Sequence, residues 1–321
     1  MAGDRVVTCG VDVGGTNVRV ATVDGDGTLL AEERAPTPPG WQAVVATVGE
    51  LCGRVATAPV AVGVGTAGLV DRDGVVHYAP NLPDFIHVPF GAALRDVLGA
   101  PVIVDNDANA AAWGEVCHGA ARGLRDVLVI TLGTGVGGGI VANGEIYRGA
   151  HGFAAEVGHF QTDQHGPPCA CGQVGHWEAS ASGSALGRMG RERAAMGALP
   201  SALERAGGDA GKVTGVVVGD AAQAGAPDAL AVVAAYAERV AVGIAGLANI
   251  LDPARIVVSG GLVELGEVLL APLRASVRGR LEGAAFRPEI DVVAAELGER
   301  AGMIGAAALA RRLVPNAVSG G

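Results

Sequence analysis

Short apolar runs closed by Gly, Asp or Asn alternate along the chain with longer stretches in which apolar residues recur at helical spacing. Arg5–Val13 reads as a buried strand, Gly14–Asn17 as a tight turn, and Val18–Val23 as a returning strand. Asp24–Gly27 turns again into Thr28–Ala31, so the chain opens on an antiparallel meander. Trp41–Ala56 has helical spacing, Val60–Gly65 is a strand ending in Thr66-Ala67-Gly68, and Pro80–Pro89 is a proline-punctuated loop. Phe90–Leu98 reads as a helix, Val102–Val104 as a strand and Ala108–Cys117 as an Ala-rich helix. The pattern then restarts: strand Asp126–Leu132, a turn over 133–138, strand Gly139–Ala142, and an Asn143-Gly144 turn into Glu145–Tyr147. Strand, Gly-Thr turn and strand thus occur near the start of each half, a faint internal repeat. From Ser180 onward the pattern is mainly helical. Ala229–Ile250 is the longest helix, Arg255–Ser259 and Ile290–Ala294 are strands, and Val263–Leu270 and Met303–Leu313 are further helices.

Composition narrows the classes. The chain has 321 residues, about two domains' worth. Half are hydrophobic and the net charge is −10 with no basic block, which disfavours nucleic acid and anionic membrane as partners. Met1–Arg5 does not begin a signal peptide, and the apolar stretch Ala241–Ile250 is too short to span a bilayer and is flanked by Glu238, Arg239 and Asp252. Five cysteines without a disulfide framework point to the cytoplasm. Lys212 is the only lysine among 23 basic residues and is followed by Val213, so there is no G-x-x-x-x-G-K-[ST] loop and no protein-kinase strand lysine. With 52 glycines, any single Gly-x-Gly carries little weight.

Candidate chemistry falls in four places. His159, Cys169, Cys171 and His176 lie within eighteen residues and have the ligand types of a closed zinc site, with Glu156 before and Glu178 after. Asp12-Val13-Gly14-Gly15-Thr16 sets a carboxylate at a strand end beside a turn whose backbone N–H groups can approach an anion, and Asp12 can hold Mg²⁺ through water. Gly133-Thr134-Gly135 repeats the turn. Glycine hairpins serve equally as plain turns. Asp105-Asn106-Asp107 lies where a strand meets a helix. Asp107 there suits a proton acceptor and Asn106 a paired donor and acceptor, while both also suit a helix N-cap. His77, His87, His118, His151 and His165 form no evident constellation.

Together the motifs resemble the ROK family of sugar kinases, and within it the actinobacterial-type glucokinases. The resemblance rests on DVGGTNVR (12–19), DNDANAAAWGE (105–115), TLGTGVGGGIV (131–141), EVGH (156–159), CACGQVGHWEASASG (169–183) and SGG (259–261). It implies a hexokinase/actin-like (ribonuclease H-like) α/β fold with two domains around a cleft, here expected as 1–118 plus 301–321 and as 119–300. It implies ATP-dependent phosphorylation of glucose at the 6-hydroxyl, with Asp107 as general base. Gly68, Asn81, Asn106, Asp107, Glu156, His159 and Glu178 are then expected to contact the sugar. Asp12, Gly14, Gly15, Thr16, Gly133, Thr134 and Gly135 are expected around Mg²⁺ and the phosphates, and Gly260 and Gly261 at the nucleoside. Zinc is expected to be structural, on His159, Cys169, Cys171 and His176; the family's usual set is one His and three Cys, so position 176 departs from it. A homodimer or homotetramer is implied. The alternatives are a kinase for fructose, mannose or an N-acetylhexosamine, and a sugar-sensing repressor. Such repressors carry an N-terminal DNA-binding domain, for which the turn beginning at Asp12 leaves no room.

Overall fold

A computed structural model of the chain describes residues 7–56 and 59–314. Arg5 and Val6, at the start of the first expected strand, lie outside the described residues. The chain divides into two compact units, one of residues 1–127, 139–155 and 296–321, the other of residues 128–138 and 156–295.

In the first unit, β1 (Thr8–Val13), β2 (Asn17–Val23) and β3 (Leu29–Pro36) form the opening meander, followed by α1 (Trp41–Val55) and β4 (Val62–Thr66). Next come β5 (Leu69–Val70), β6 (Val76–Tyr78), β7 (Ile86–Val88), α2 (Phe90–Leu98), β8 (Val102–Asn106) and α3 (Asp107–His118). The main sheet has the order β3-β2-β1-β4-β8. Its first three strands are antiparallel, while β4 lies parallel to both β1 and β8. The parallel strands are mostly apolar because both faces are covered, and their Asp and Asn residues fall at or near the strand ends. On one face, Val44, Val48 and Leu51 of α1 join Val11, Val20 and Val64 in the core. The opposite face receives the terminal helix described below.

The chain continues through β9 (Val127–Leu132), β10 (Val136–Ala142) and β11 (Glu145–Ile146). In the second unit follow α4 (Trp177–Ala181), α5 (Gly183–Ala195), α6 (Pro200–Arg205), α7 (Gly215–Gln223), α8 (Pro227–Leu251), β12 (Arg255–Ser259), α9 (Glu267–Arg278) and β13 (Asp291–Ala294). By length and composition α8 could cross a membrane, but half of its most apolar window is buried. Val233, Tyr236, Val240 and Ile244 spend that apolarity on the core of the unit. The second main sheet runs β11-β10-β9-β12-β13.

The last helix, α10 (Ala301–Arg311), belongs to the first unit and lies directly on its sheet. A Cβ on Gly10 or Gly63 would run into the backbone carbonyls of Met303 or Ala306, so glycine in β1 and β4 sets how closely the helix approaches. Thr8 Oγ1 donates to Ala307 O at 3.0 Å.

Three expectations are corrected. The loop over 80–89 contains strand β7, which joins β5 and β6 in a separate three-stranded sheet. Strand β10 begins at Val136, three residues earlier than expected, because the turn tightens to Gly133–Gly135 with Gly133 N–H bonded to Gly135 O at 3.0 Å. The expected helix over 263–270 is a 3-10 turn, Gly261–Leu265, broken at Gly266 with φ 56° before α9 begins at Glu267.

Candidate active site

Each unit carries its own set of the expected site residues. In the first, Asp12 sits near the end of β1 with Arg19 of β2 as its cross-strand partner. Gly14 N–H closes the turn onto Asn17 O at 3.0 Å. Thr37 braces it from outside, its hydroxyl donating to Gly14 O at 2.6 Å and its N–H to Thr16 O at 2.9 Å. Gly15 and Thr16 are left at an exposed tip. A Cβ on Gly15 would stand 2.9 Å from both Cβ and O of Asn81, so the expected phosphate turn and Asn81 lie against each other.

At the end of β8 the structure shows which residue caps the helix. Asn106 is the N-cap of α3. Its Oδ1 accepts from Ala108 N–H at 2.8 Å and Asn109 N–H at 3.2 Å, and its Nδ2 donates to Gly68 O at 3.1 Å. Asp107 is the first helical residue, and its Oδ1 accepts from Ala108 N–H at 2.8 Å. Burial pushes the Asp107 carboxyl above the ordinary range, against the pull of the Ala108 N–H and its own N–H. Asp12 is raised to about 6, first by burial and then by the charge of Asp107, with Arg19 opposing. Asp12 therefore feels the charge of Asp107 in addition to its own burial.

A group whose pKa is raised on folding favours the folded state at low pH, and that contribution disappears as pH rises through the folded pKa, about 6 for Asp12. At neutral pH the ligand-free protein thus holds an unfavourable carboxylate at position 12. Asp12→Asn is expected to raise the thermal midpoint of the ligand-free protein at pH 7.5 by roughly 2–6 °C while lowering turnover. A lower midpoint in a calorimetric scan would contradict this account.

In the second unit the turn Gly133–Gly135 is held from behind. Gly133 O accepts from Gly183 N–H at 2.8 Å, Ser184 Oγ donates to Thr134 O at 2.9 Å, and Val136 N–H donates to Glu178 Oε2 at 3.0 Å. Thr134 stays exposed. Gly260 adopts φ 88° with a would-be Cβ against the Leu132 backbone, so no other residue fits there, and Gly261 opens the 3-10 turn.

His159 ends a 3-10 turn (Val157–His159) and its N–H returns to Glu156 O at 3.0 Å. Ala155, just before Glu156, has φ 71°, a strained value for a residue with a Cβ, of the kind found at functional sites. The segment that follows folds back on itself through bridges Gln161↔His176 and Pro168↔Val174. A tight turn, with Cys169 N–H to Gln173 O at 2.8 Å, presents Cys169 and Cys171. His176 occupies the N-cap position of α4 without a side-chain capping bond, and Trp177 fastens that helix by its Nε1–H to Arg239 O at 3.2 Å.

The ligand atoms of His159, Cys169, Cys171 and His176 all lie within 4.8 Å of one another. His159 Nδ1 and His176 Nδ1 are 3.4 Å apart, Cys171 Sγ is 3.2 Å from His176 Nδ1, and Cys169 Sγ is 3.9 Å from His159 Nδ1. Bonds of about 2.0–2.3 Å in a tetrahedron give edges of roughly 3.3–3.8 Å, so the four residues, His176 included, are compatible with a zinc ion. Glu178 Oε1 lies 3.6 Å from Cys169 Sγ. One carboxylate therefore touches both the cluster and the Gly133–Val136 turn, a link with no trace in sequence spacing.

Other groups escaped the sequence reading. Glu115, fully buried, accepts from Ala120 N–H at 2.8 Å, Glu296 N–H at 3.2 Å and Leu297 N–H at 2.9 Å, tying the end of α3 to the approach to α10. His77, which forms no evident constellation in the sequence, lies between Asp71 at 2.8 Å and His87 at 3.1 Å. Arg148 binds Asp105 at 2.8 and 2.5 Å.

Relatives match nearly the full length of the chain. The chain is 41% identical to a glucokinase of Streptomyces coelicolor over 316 residues, covering 96% of this chain and 99% of that one. It is 34% identical to an N-acetylmannosamine kinase of Citrobacter koseri over 95% of this chain and 98% of that one. Among solved structures it is similar to a ROK family glucokinase from Streptomyces griseus in complex with glucose and AMPPNP, with TM-score 0.84, 40% identity, and 95% and 99% of the two chains covered. The fold is thus the two-domain hexokinase-like one. The family model described as ROK family matches residues 8–313, and the chain belongs to the ROK family.

Proposed function

We infer that this chain is a glucokinase that transfers the γ-phosphoryl group of ATP to the 6-hydroxyl of glucose. The observation that carries the reading is its full-length kinship, at 41% identity, with proteins named glucokinase. Asp107 supplies the chemistry. Its carboxylate, raised in pKa by burial, accepts the proton of the 6-hydroxyl as that oxygen attacks the γ-phosphorus and ADP leaves. Asn106, Gly68, Asn81, Glu156, His159 and Glu178 hold the sugar hydroxyls. The backbone of Gly14, Gly15, Thr16, Gly133, Thr134 and Gly135 cradles the phosphates, and Gly260 and Gly261 admit the nucleoside.

Asp12 would hold Mg²⁺ through water, and the ion would neutralise phosphate charge. The His159–Cys169–Cys171–His176 set would hold structural zinc with no open position. An enzyme that consumes ATP and keeps free thiols is suited to the cytoplasm. The assembly implied by family resemblance is a homodimer or homotetramer.

A coupled assay over glucose, mannose, fructose and N-acetylmannosamine, with ATP or polyphosphate as donor, tests the reading. Glucose with ATP is expected to give the highest kcat/KM by at least about tenfold, a difference of roughly 1.4 kcal/mol in transition-state binding. The 34% identity to an N-acetylmannosamine kinase makes that sugar the sharpest competitor, and a preference for it would replace the conclusion.

A further inference from the structure

Arg148 comes two residues after β11 and 43 positions from its partner. Its Nε and Nη2 both donate to one oxygen, Oδ2 of Asp105, at 2.8 and 2.5 Å. The other oxygen, Oδ1, accepts from Asn106 N–H at 2.8 Å and from Asn109 Nδ2 at 2.9 Å. The Asp105 side chain is 5% exposed and that of Arg148 21%, so the pair is shielded from water and its geometry is firm.

This arrangement brackets Asp107. The residue before it, Asn106, is held by its N–H on Asp105, and the residue two beyond it, Asn109, by its amide on the same carboxylate. Asn106 in turn caps the helix that Asp107 begins. The backbone carrying Arg148 is fixed independently of the guanidinium. Arg72 Nη2 donates to Gly149 O at 2.6 Å, Ala154 N–H donates to Arg148 O at 3.2 Å, and Gly152 lies against the backbone of Val70 and Asp71. Arg148 thus reaches from an anchored base to the carboxylate that organises the start of α3.

We propose that Arg148 is a positioning residue for phosphoryl transfer: by gripping one oxygen of Asp105 it turns the other toward Asn106 and Asn109, and so fixes the aim of the Asp107 carboxylate. The proposal rests on Asp107 being the base. A guanidinium suits the task because its rigid fork fixes the rotation of the carboxylate, whereas an ammonium supplies charge without direction.

The test compares Arg148→Met, Arg148→Lys, Asp105→Asn, the double variant R148M/D105N and Asp107→Asn in the full-length protein, measuring kcat, both KM values and the thermal midpoint. R148M is expected to lower kcat roughly ten- to hundredfold, the scale of a small misplacement of a reacting group, with KM for ATP changed less than about twofold. R148K should recover only part of the loss, and R148M/D105N should be no slower than R148M, since both changes cut the same chain of contacts. Wild-type kcat in R148M, even with a lowered midpoint, would reduce the pair to a structural role and overturn the proposal. Additive losses in the double variant would overturn it too. Full activity in D107N would instead remove the assignment of the base, a failure distinguishable from that of Arg148.

Discussion

Asp107→Asn is expected to lower kcat by roughly a hundred- to ten-thousandfold, the range of a lost general base, with a much smaller change in KM for glucose. Asparagine keeps the shape and the place at the start of α3, where Asn106 makes the N-cap bonds and an amide oxygen at position 107 can still accept from Ala108 N–H. The substitution therefore removes a proton acceptor without unwinding the helix. Burial is the main cause of the raised Asp12 pKa, but the substitution removes the added charge of Asp107, so the pKa of Asp12 should fall. In the wild type both carboxyls must be ionised, and both have raised pKa values, so kcat/KM should fall as pH drops through about 6, the value for Asp12. In D107N the residual activity should keep its plateau to lower pH. Steady-state kinetics across pH 5–8 reads both effects; turnover above about a tenth of wild type would remove Asp107 from the role of base.

The parts of this molecule that could be read in sequence are those that local physics decides. Helix Phe90–Leu98 and strand Arg255–Ser259 have the bounds their apolar spacing indicates. The expected site residues stand out because turns need Gly, caps need Asn or Asp, and a metal needs His and Cys at short spacing. What stayed hidden depends on distant partners. Strands β5, β6 and β7 are two or three residues long, too short for alternation to register, and owe their existence to pairing with one another. The early start of β10 goes with a bond from Val136 to Glu178, 42 positions away. Glu115 and Arg148 look like ordinary surface charges in sequence. Only the fold shows that one receives three backbone N–H groups and that the other grips Asp105. Charged residues are informative when buried, and burial is not a local property.

The Cys and His cluster is expected to matter to both ligands, which separates it from an isolated zinc knuckle. Purified protein should contain about one zinc per chain, and Cys169→Ser or His176→Ala should lose it, whereas His176→Cys should keep it. Loss of a ligand bound about a thousandfold above its Kd removes roughly 4 kcal/mol, a fall of roughly 8–16 °C in the thermal midpoint. The functional effect follows from the contacts of Glu178. Its Oε1 lies beside Cys169 Sγ, its Oε2 holds Val136 N–H, and it sits in α4 two residues after the proposed ligand His176. Freeing Cys169 and His176 should therefore disturb His159 and Glu178, the residues proposed to meet the sugar, and, through Val136, the Gly133–Gly135 turn. KM for glucose should rise at least about tenfold, as expected when uniform binding is lost, and KM for ATP should rise as well, by less. Elemental analysis, calorimetry and kinetics on the same preparations check this. A metal-free protein with unchanged midpoint and unchanged KM values would leave the cluster as four neighbouring side chains with no part in holding the site.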